Sequence, residues 1–312
     1  MILTRVRALS PRILFAIAIF CSSPVISQSM ITLDGDKCGS DLQAFAALSN
    51  SRVRPAASAR RLLGKCEAQN ISISNRATGI TLRIEQLKWQ SGALSLLAEG
   101  QIPATLNLSA SGVRVEKIPP NEPFWTFLKQ QSTGQGGLEL QFGFSFNSSK
   151  QSLHLNQARL GFPRGNHVGA SAKLRGVRQD IGDNPLLMIL ALVADDLKLN
   201  ITGQGQFMEK FIMAVTENSL PEFGINGLKK EALKYVNDEL KFLLARQDLS
   251  DLRRLIKQLP RPSGSVSLGF NAVEGLSAVR IAALLNGAAP DWAREGVTLS
   301  FSYGSIVNVI SD

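Results

Sequence analysis

From Leu138 to Phe146 the chain alternates without a break. Leu138, Leu140, Phe142, Phe144 and Phe146 are apolar, and Glu139, Gln141, Gly143 and Ser145 lie between them. A period of two puts one set of side chains in a core and the other in water, as in a half-buried β-strand. Shorter runs repeat the pattern at Ile80–Ile84, Leu87–Trp89, Leu106–Leu108, Val113–Val115 and Leu153–Leu155, and Leu94 and Leu96 read as its continuation. Further strands are expected at Val168–Leu174, Leu197–Gly203, Phe211–Val215, Val266–Phe270 and Val297–Tyr303. Between Ile84 and Leu87 the apolar phase slips by one residue, which predicts a bulge near Glu85–Gln86. Asn147-Ser148-Ser149-Lys150 reads as a hairpin turn between two of the runs. One-faced strands suit antiparallel pairing, because buried parallel strands are apolar on both faces.

Helical spacing interrupts the strands. Asp41–Leu48 carries Leu42, Phe45 and Ala46 on one side, with Ser40 or Asp41 as N-cap. Pro123–Gln131 contains Phe124, Trp125, Phe127 and Leu128. Asn184-Pro185 reads as N-cap and first turn of a helix over Leu186–Ala194. Leu228–Ala245 is the longest amphipathic stretch. A second begins at Ser250, with Leu252, Leu255, Ile256 and Leu259 inward and Pro260 as the stop, and a short helix is expected at Ser277–Leu285. The fold class is therefore α+β: a large curved antiparallel β-sheet with several short helices packed on or inside it.

The first residues carry an address. Arg5, Arg7 and Arg12 precede the apolar run Ile13–Cys21, and Pro24, Val25 and Ser27 follow as a signal-peptidase site. Cleavage is expected after Ser27, and the run is too short to span a bilayer. Removing residues 1–27 takes away those three arginines from a total of 34 basic residues and leaves 31 against 25 acidic ones, a net +6. Charges so dilute and dispersed do not make a nucleic-acid footprint. Hydrophobic residues at 44% and charged residues at 19% exclude a disordered chain and a multi-span membrane protein. Two cysteines remain after cleavage, Cys38 and Cys66, and an even pair in an exported chain reads as a disulfide, with two free thiols as the alternative. The organisation that follows is a signal peptide over 1–27, a disulfide-bonded appendage over 28–68 and a β-rich main domain over 69–312.

The strands of Ile80–Val115 and the units Asn184–Gly203 and Pro262–Tyr303 resemble AsmA-like and related periplasmic β-repeat proteins of Gram-negative bacteria. That resemblance implies a periplasmic envelope protein that handles lipid or supports outer-membrane assembly, and it carries over no catalytic residue.

Two candidate surfaces remain. Leu186, Leu187, Ile189, Leu190 and Val193 lie in an uncharged run that lines an apolar groove or serves as ordinary core. Arg52, Arg54, Arg60, Arg61 and Lys65 form either a cationic patch for an anionic surface or a solvated loop and helix. No nucleophile elbow is present, and the two histidines, His154 and His167, are read as surface residues. The resulting expectation is a non-enzymatic protein with no metal and no cofactor. It binds a lipid or lipopolysaccharide-like amphiphile, or a protein partner in the envelope, with peripheral membrane contact at most and no nucleic acid. A carboxylate-based hydrolase is the least favoured reading.

Overall fold

A computed structural model describes residues 37–48, 50–55, 60–62, 64–179, 192–204, 206–216, 224–238, 240–277, 280 and 295–304. The strands are β1 (Ser51–Pro55), β2 (Arg60–Leu62), β3 (Lys65–Asn75), β4 (Thr81–Gln90), β5 (Thr105–Lys117), β6 (Leu138–Asn147), β7 (Ser152–Gly161), β8 (His167–Arg175), β9 (Val193–Gly203), β10 (Gly264–Ser277) and β11 (Val297–Gly304). The helices are α1 (Lys37–Leu48), α2 (Ala93–Ala98), α3 (Pro123–Ser132), α4 (Phe207–Thr216), α5 (Gly224–Asp238) and α6 (Arg246–Gln258). The strands form one open antiparallel sheet in the order β1-β3-β4-β5-β6-β7-β8-β9-β10-β11, with β2 beside β1 on the same edge of β3. From β3 onward each strand pairs with its neighbour in sequence, so the sheet is a meander. Its turns use Asn side chains in place of backbone acceptors. Asn75 Oδ1 accepts from Thr78 N at 2.8 Å, and Asn147 Oδ1 accepts from Lys150 N at 3.0 Å.

The slip foreseen near Glu85 is real, and it extends across three strands. In β3 the inward residues change from Cys66 and Ala68 to Ile71 and Ile73, in β4 from Trp89 and Leu87 to Ile84 and Leu82, and in β5 from Leu108 and Ala110 to Val113 and Val115. Asn70, Glu85 and Gly112 stand at the three crossing points, and Asn70 and Gly112 have positive φ (51° and 64°). A Cβ on Gly112 would collide with the Glu85 carboxylate, and one on Gly137 would sit 2.9 Å from the Gly112 carbonyl carbon, so both glycines admit close neighbours. At β6 the slip ends: the register with β5 shifts between Ala110 and Val113, and β6 keeps one phase throughout. Later irregularities lie in β7 between Leu155 and Ala158, in β9 beside Asp195–Asp196 and in β10 between Asn271 and Leu276. Bulges of this kind bend strands and sharpen their twist, which curves the sheet.

The two edges are handled differently. At the β11 edge, Leu299 N–H donates to Leu243 O at 3.3 Å. Asp251 Oδ2 accepts from Tyr303 N at 3.2 Å, and the Arg254 guanidinium donates to Tyr303 O. The side chains of α6 thus take the place of a neighbouring strand. The Tyr303 hydroxyl donates to Gln258 Oε1, and Arg254 lies over the Tyr303 ring at 5.3 Å. At the other edge, β1 carries exposed Arg52 and Arg54 and ends at Pro55, all of which discourage strand addition. Here the expected loop and helix are edge strands instead, because Val53 packs inward opposite Ile73 and pulls the segment into the ladder.

Four other expectations change. Leu94 and Leu96 lie in α2, closed by Gly100 at φ 76°, rather than in a strand. Phe211–Val215 lies in α4, where Phe207 and Phe211 come together at helical spacing against Phe127. Val193 and Ala194 begin β9 rather than ending a helix. α6 begins four residues before the expected Ser250, with Ala245 as N-cap.

The N-terminal segment is fastened to the sheet by two devices. Cys38 of α1 and Cys66 of β3 form a disulfide with Cα atoms 5.5 Å apart. Asp41, expected at the helix start, stands inside α1 and is fully buried. It accepts from the Trp89 indole at 3.2 Å, from Gly92 N and from the Ser95 hydroxyl. Burial of a carboxylate is tolerated here because three donors converge on it. Asp41→Ala leaves all three without their acceptor, and the expected cost is about 3 kcal/mol or more, read as a lower denaturation midpoint. Asp41→Asn, which keeps one acceptor oxygen, is expected to cost less. Reduction of the disulfide, which closes a loop with a sequence separation of 28, is expected to cost about 3–4 kcal/mol in the same assay.

Candidate functional site

The apolar face of the sheet is unevenly covered. At its beginning, Ile71, Ile84, Leu87, Trp89, Leu106 and Val115 are buried under α1, α2 and α3. At its end, Val297, Leu299, Phe301 and Tyr303 are buried, with α6 packed on β11. The five strands between them are mixed: Phe144, Phe146, Ala172 and Val266 are buried there too. Leu140 and Phe142 of β6, Leu155 and Leu160 of β7, Val168 of β8, Leu199 and Ile201 of β9, and Leu268 and Phe270 of β10 are only half-buried.

Register places these side chains in continuous rows. One row runs Phe142, Ala158, Ala170, Leu199, Leu268, and the next runs Leu140, Leu160, Val168, Ile201, Val266. Five strands at about 4.8 Å spacing make an apolar surface roughly 20 Å across. Most of these side chains pack against the core, and none of them is fully exposed. At one end stands a wall of four phenylalanines, Phe127, Phe162, Phe207 and Phe211, with ring centroids 4.8–5.9 Å apart. Phe127 is therefore core, and Phe124 and Trp125 are half-buried beside it, so this aromatic cluster is not an exposed patch.

At the opposite end of the strands, polar side chains pin the irregular registers. Arg175 Nε donates to both carboxylate oxygens of Asp195, at 2.7 and 2.8 Å, and its Nη2 donates to Glu274 O at 3.3 Å. One guanidinium thus joins β8, β9 and β10 where their ladders slip. The hydrogen bond to Asp195, and then its charge, push the Arg175 pKa up. Gly275 lies beneath, at φ 81°, where a Cβ would strike Val193. Asp196 turns to Lys198 at 3.6 Å instead. The adjacent carboxylates have separate partners and form no common acid–base pair.

The opposite face is predominantly polar and holds both histidines. His154 pairs with Ser145 and Lys173, whereas His167 pairs with Gly161 and Thr202. Six residues along β8 separate these two levels, or about 20 Å. Among the described residues, no group of three His, Cys, Asp or Glu side chains is placed to hold a metal ion. Two hollows open elsewhere: one of about 590 Å³ beside His167, Thr202, Ser265 and Ser302, and one of about 420 Å³ beside Lys37, Gly92, Leu96 and Pro103. The first reaches the rows at Val266 and the second does not touch them; every other residue of the rows is half-buried.

Of the sequence-predicted groove, Leu186, Leu187, Ile189 and Leu190 lie outside the described residues, and Val193 is half-buried at the start of β9. Of the cationic set, Arg52 and Arg54 are exposed on β1 and Lys65 on β3, and the side chains of Arg60 and Arg61 on β2 lie outside the described residues. The candidate leader, 1–27, also lies outside them. The half-buried rows escaped sequence reasoning because alternation reports which face is apolar and is silent on what lies over it. Among the described residues, no helix is long and apolar enough to cross a membrane. No protein-family model matches the chain, and no curated protein matches it in sequence.

The uneven cover has a thermodynamic signature. Leu106→Ala and Leu299→Ala, in the closed parts, are expected to lower stability by about 2–5 kcal/mol. Leu155→Ser and Leu199→Ser, in the half-buried rows, are expected to cost clearly less, because less apolar surface is withdrawn from water there. Chemical denaturation of the four variants reads the difference.

Proposed function

We propose that this chain is an exported, non-enzymatic protein of the cell envelope that holds the apolar part of a lipid or other amphiphile on the half-buried rows of β6–β10. The observation that carries this reading is the contrast in cover. The same alternating face is buried at both sides of the sheet, whereas along the two rows that cross β6–β10 every side chain but Val266 is only half-buried, and those rows contain no charged side chain. An extended acyl chain buries apolar surface all along its length and needs no polar recognition along it, which suits a row of Leu, Ile, Val and Phe.

The remaining support comes from the sequence. The basic, apolar and small-residue order of residues 1–27 is that of an export signal. The Cys38–Cys66 disulfide is stable in an oxidising compartment such as the periplasm. The AsmA-like character of the strand pattern points to the same setting and to lipid handling.

Native mass spectrometry of the mature protein, purified without detergent, tests this reading. The expected result is a discrete added mass that organic solvent removes and that analyses as lipid. Leu155→Gln together with Leu199→Gln is expected to lower its occupancy about tenfold, the equivalent of about 1.4 kcal/mol. A clean apo mass that takes up no fatty acid or phospholipid on titration would overturn lipid binding. Recovery of a stoichiometric protein under mild crosslinking would then favour an interaction protein whose partner covers the same rows.

A further inference from the structure

We propose that the N-terminal corner of the polar face is a binding site for a phosphoryl oxyanion, built from Arg54, Arg83 and Arg114 with Arg52 and Lys117 beside them. This does not rest on the lipid reading, since the two surfaces are opposite faces of the sheet.

The evidence is register. Arg54 of β1 pairs with Ser72 of β3, Ser72 with Arg83 of β4, and Arg83 with Arg114 of β5. The three arginines therefore occupy one row across four strands, about 14 Å from end to end. The adjacent row runs Arg52, Ser74, Thr81, Lys117. All five cationic side chains are exposed. Their strand neighbours Val53, Leu82, Ile84, Val113 and Val115 point into the core, so the arginines leave by the polar face.

This arrangement works against stability. Arg83 and Arg114 are directly opposed, which brings their Cβ atoms to within about 5 Å, and like charges so placed destabilise a sheet. The row is neutralised at Arg114, which donates a hydrogen bond to Glu85, and not at Arg83. Glu85 lies 3.5 Å from Arg114, with both side chains about half-exposed (54% and 44%). Glu116 is exposed on β5, and Arg83 makes no ion pair among the described residues. In the adjacent row, the Ser74 and Thr81 hydroxyls hydrogen-bond each other at 3.1 Å, which leaves one hydroxyl proton as a further donor.

The donor set selects the ligand class. A guanidinium offers parallel N–H groups in a planar fork, and two forks on neighbouring strands can grip one tetrahedral oxyanion from two sides. A phosphoryl group has the oxygens and the charge to satisfy both. The group can be that of a soluble phosphate or that of a phospholipid headgroup, and the test separates these sources.

The test uses the mature protein with two probes: pyrophosphate followed by calorimetry, and flotation with vesicles of phosphatidylcholine with or without phosphatidylglycerol. Three double variants are compared with the parent. Arg83→Gln with Arg114→Gln removes the fork. Arg83→Lys with Arg114→Lys keeps the charge but loses the planar geometry. Lys150→Gln with Lys173→Gln removes the same charge from exposed sites elsewhere. Circular dichroism and thermal unfolding confirm that each variant is folded.

The expected result is binding that falls about tenfold or more in the glutamine pair, falls markedly in the lysine pair, and changes less than about twofold in the control pair. If pyrophosphate shows this pattern and vesicles do not, the ligand is a soluble phosphate. If phosphatidylglycerol vesicles show it, the ligand is a headgroup. Equal weakening in the glutamine and control pairs means diffuse attraction and overturns the proposal. Absence of parental binding to both probes at about 1 mM overturns it as well.

Discussion

A strand offers its two faces in strict alternation, and a shift of one residue exchanges core for water along everything that follows. This constraint governs the whole chain, because ten strands in succession must present their apolar side to one core. The protein meets it by letting neighbours slip together. Asn70, Glu85 and Gly112 mark a single line across β3, β4 and β5, so that each strand changes phase where its partner does. The ladder on either side keeps its pairing. The close approach of Glu85 to Gly112 and of Gly137 to the Gly112 carbonyl shows how tightly that line is packed. Farther along, Arg175 performs a comparable task with charge, joining β8 to β10 through Asp195 and the Glu274 carbonyl.

With the faces fixed, the helices decide which part of the apolar side is closed. α1 is bound to the first strands by the disulfide and by buried Asp41. α6 is bound to the last strand by Asp251, Arg254 and Gln258, whose polar atoms stand in for a missing strand. α3 and α4 meet at one end through tilted and edge-on phenylalanine contacts. These anchors lie at the margins. The central strands are left with apolar rows that the described helices do not bury, and the functional reading rests on that gap. The polar side carries its own uneven distribution, with arginines in register at one corner.

The sequence made the fold class legible because period two survives in single strands. Leu138–Phe146 needed no neighbour to be recognised, and the missing beat after Ile84 located the slip to within a residue. Cys38 and Cys66 were equally plain. Errors came where local pattern and tertiary packing disagree. Phe211, Ile212 and Val215 are good strand formers, yet Phe207 and Phe211 gain more as a helical pair against Phe127. Leu94 and Leu96 alternate by accident inside a six-residue helix. Asp41 looked like a cap because a buried carboxylate needs Trp89 and Ser95, 48 and 54 positions away, to make sense. The arginine row was out of reach for the same reason. Arg54, Arg83 and Arg114 are far apart in sequence, and only the strand register makes them neighbours.

The central claim is that the middle of the apolar face, and not its margins, meets a lipid. Site-specific photocrosslinking in intact cells tests it most directly, with a photoreactive side chain placed in turn at Leu155, Leu199 and Phe301. The account predicts lipid adducts at Leu155 and Leu199 and none at Phe301, which lies in the closed part of the same face. Adducts of equal yield at all three positions, or none at Leu155 and Leu199, would contradict it.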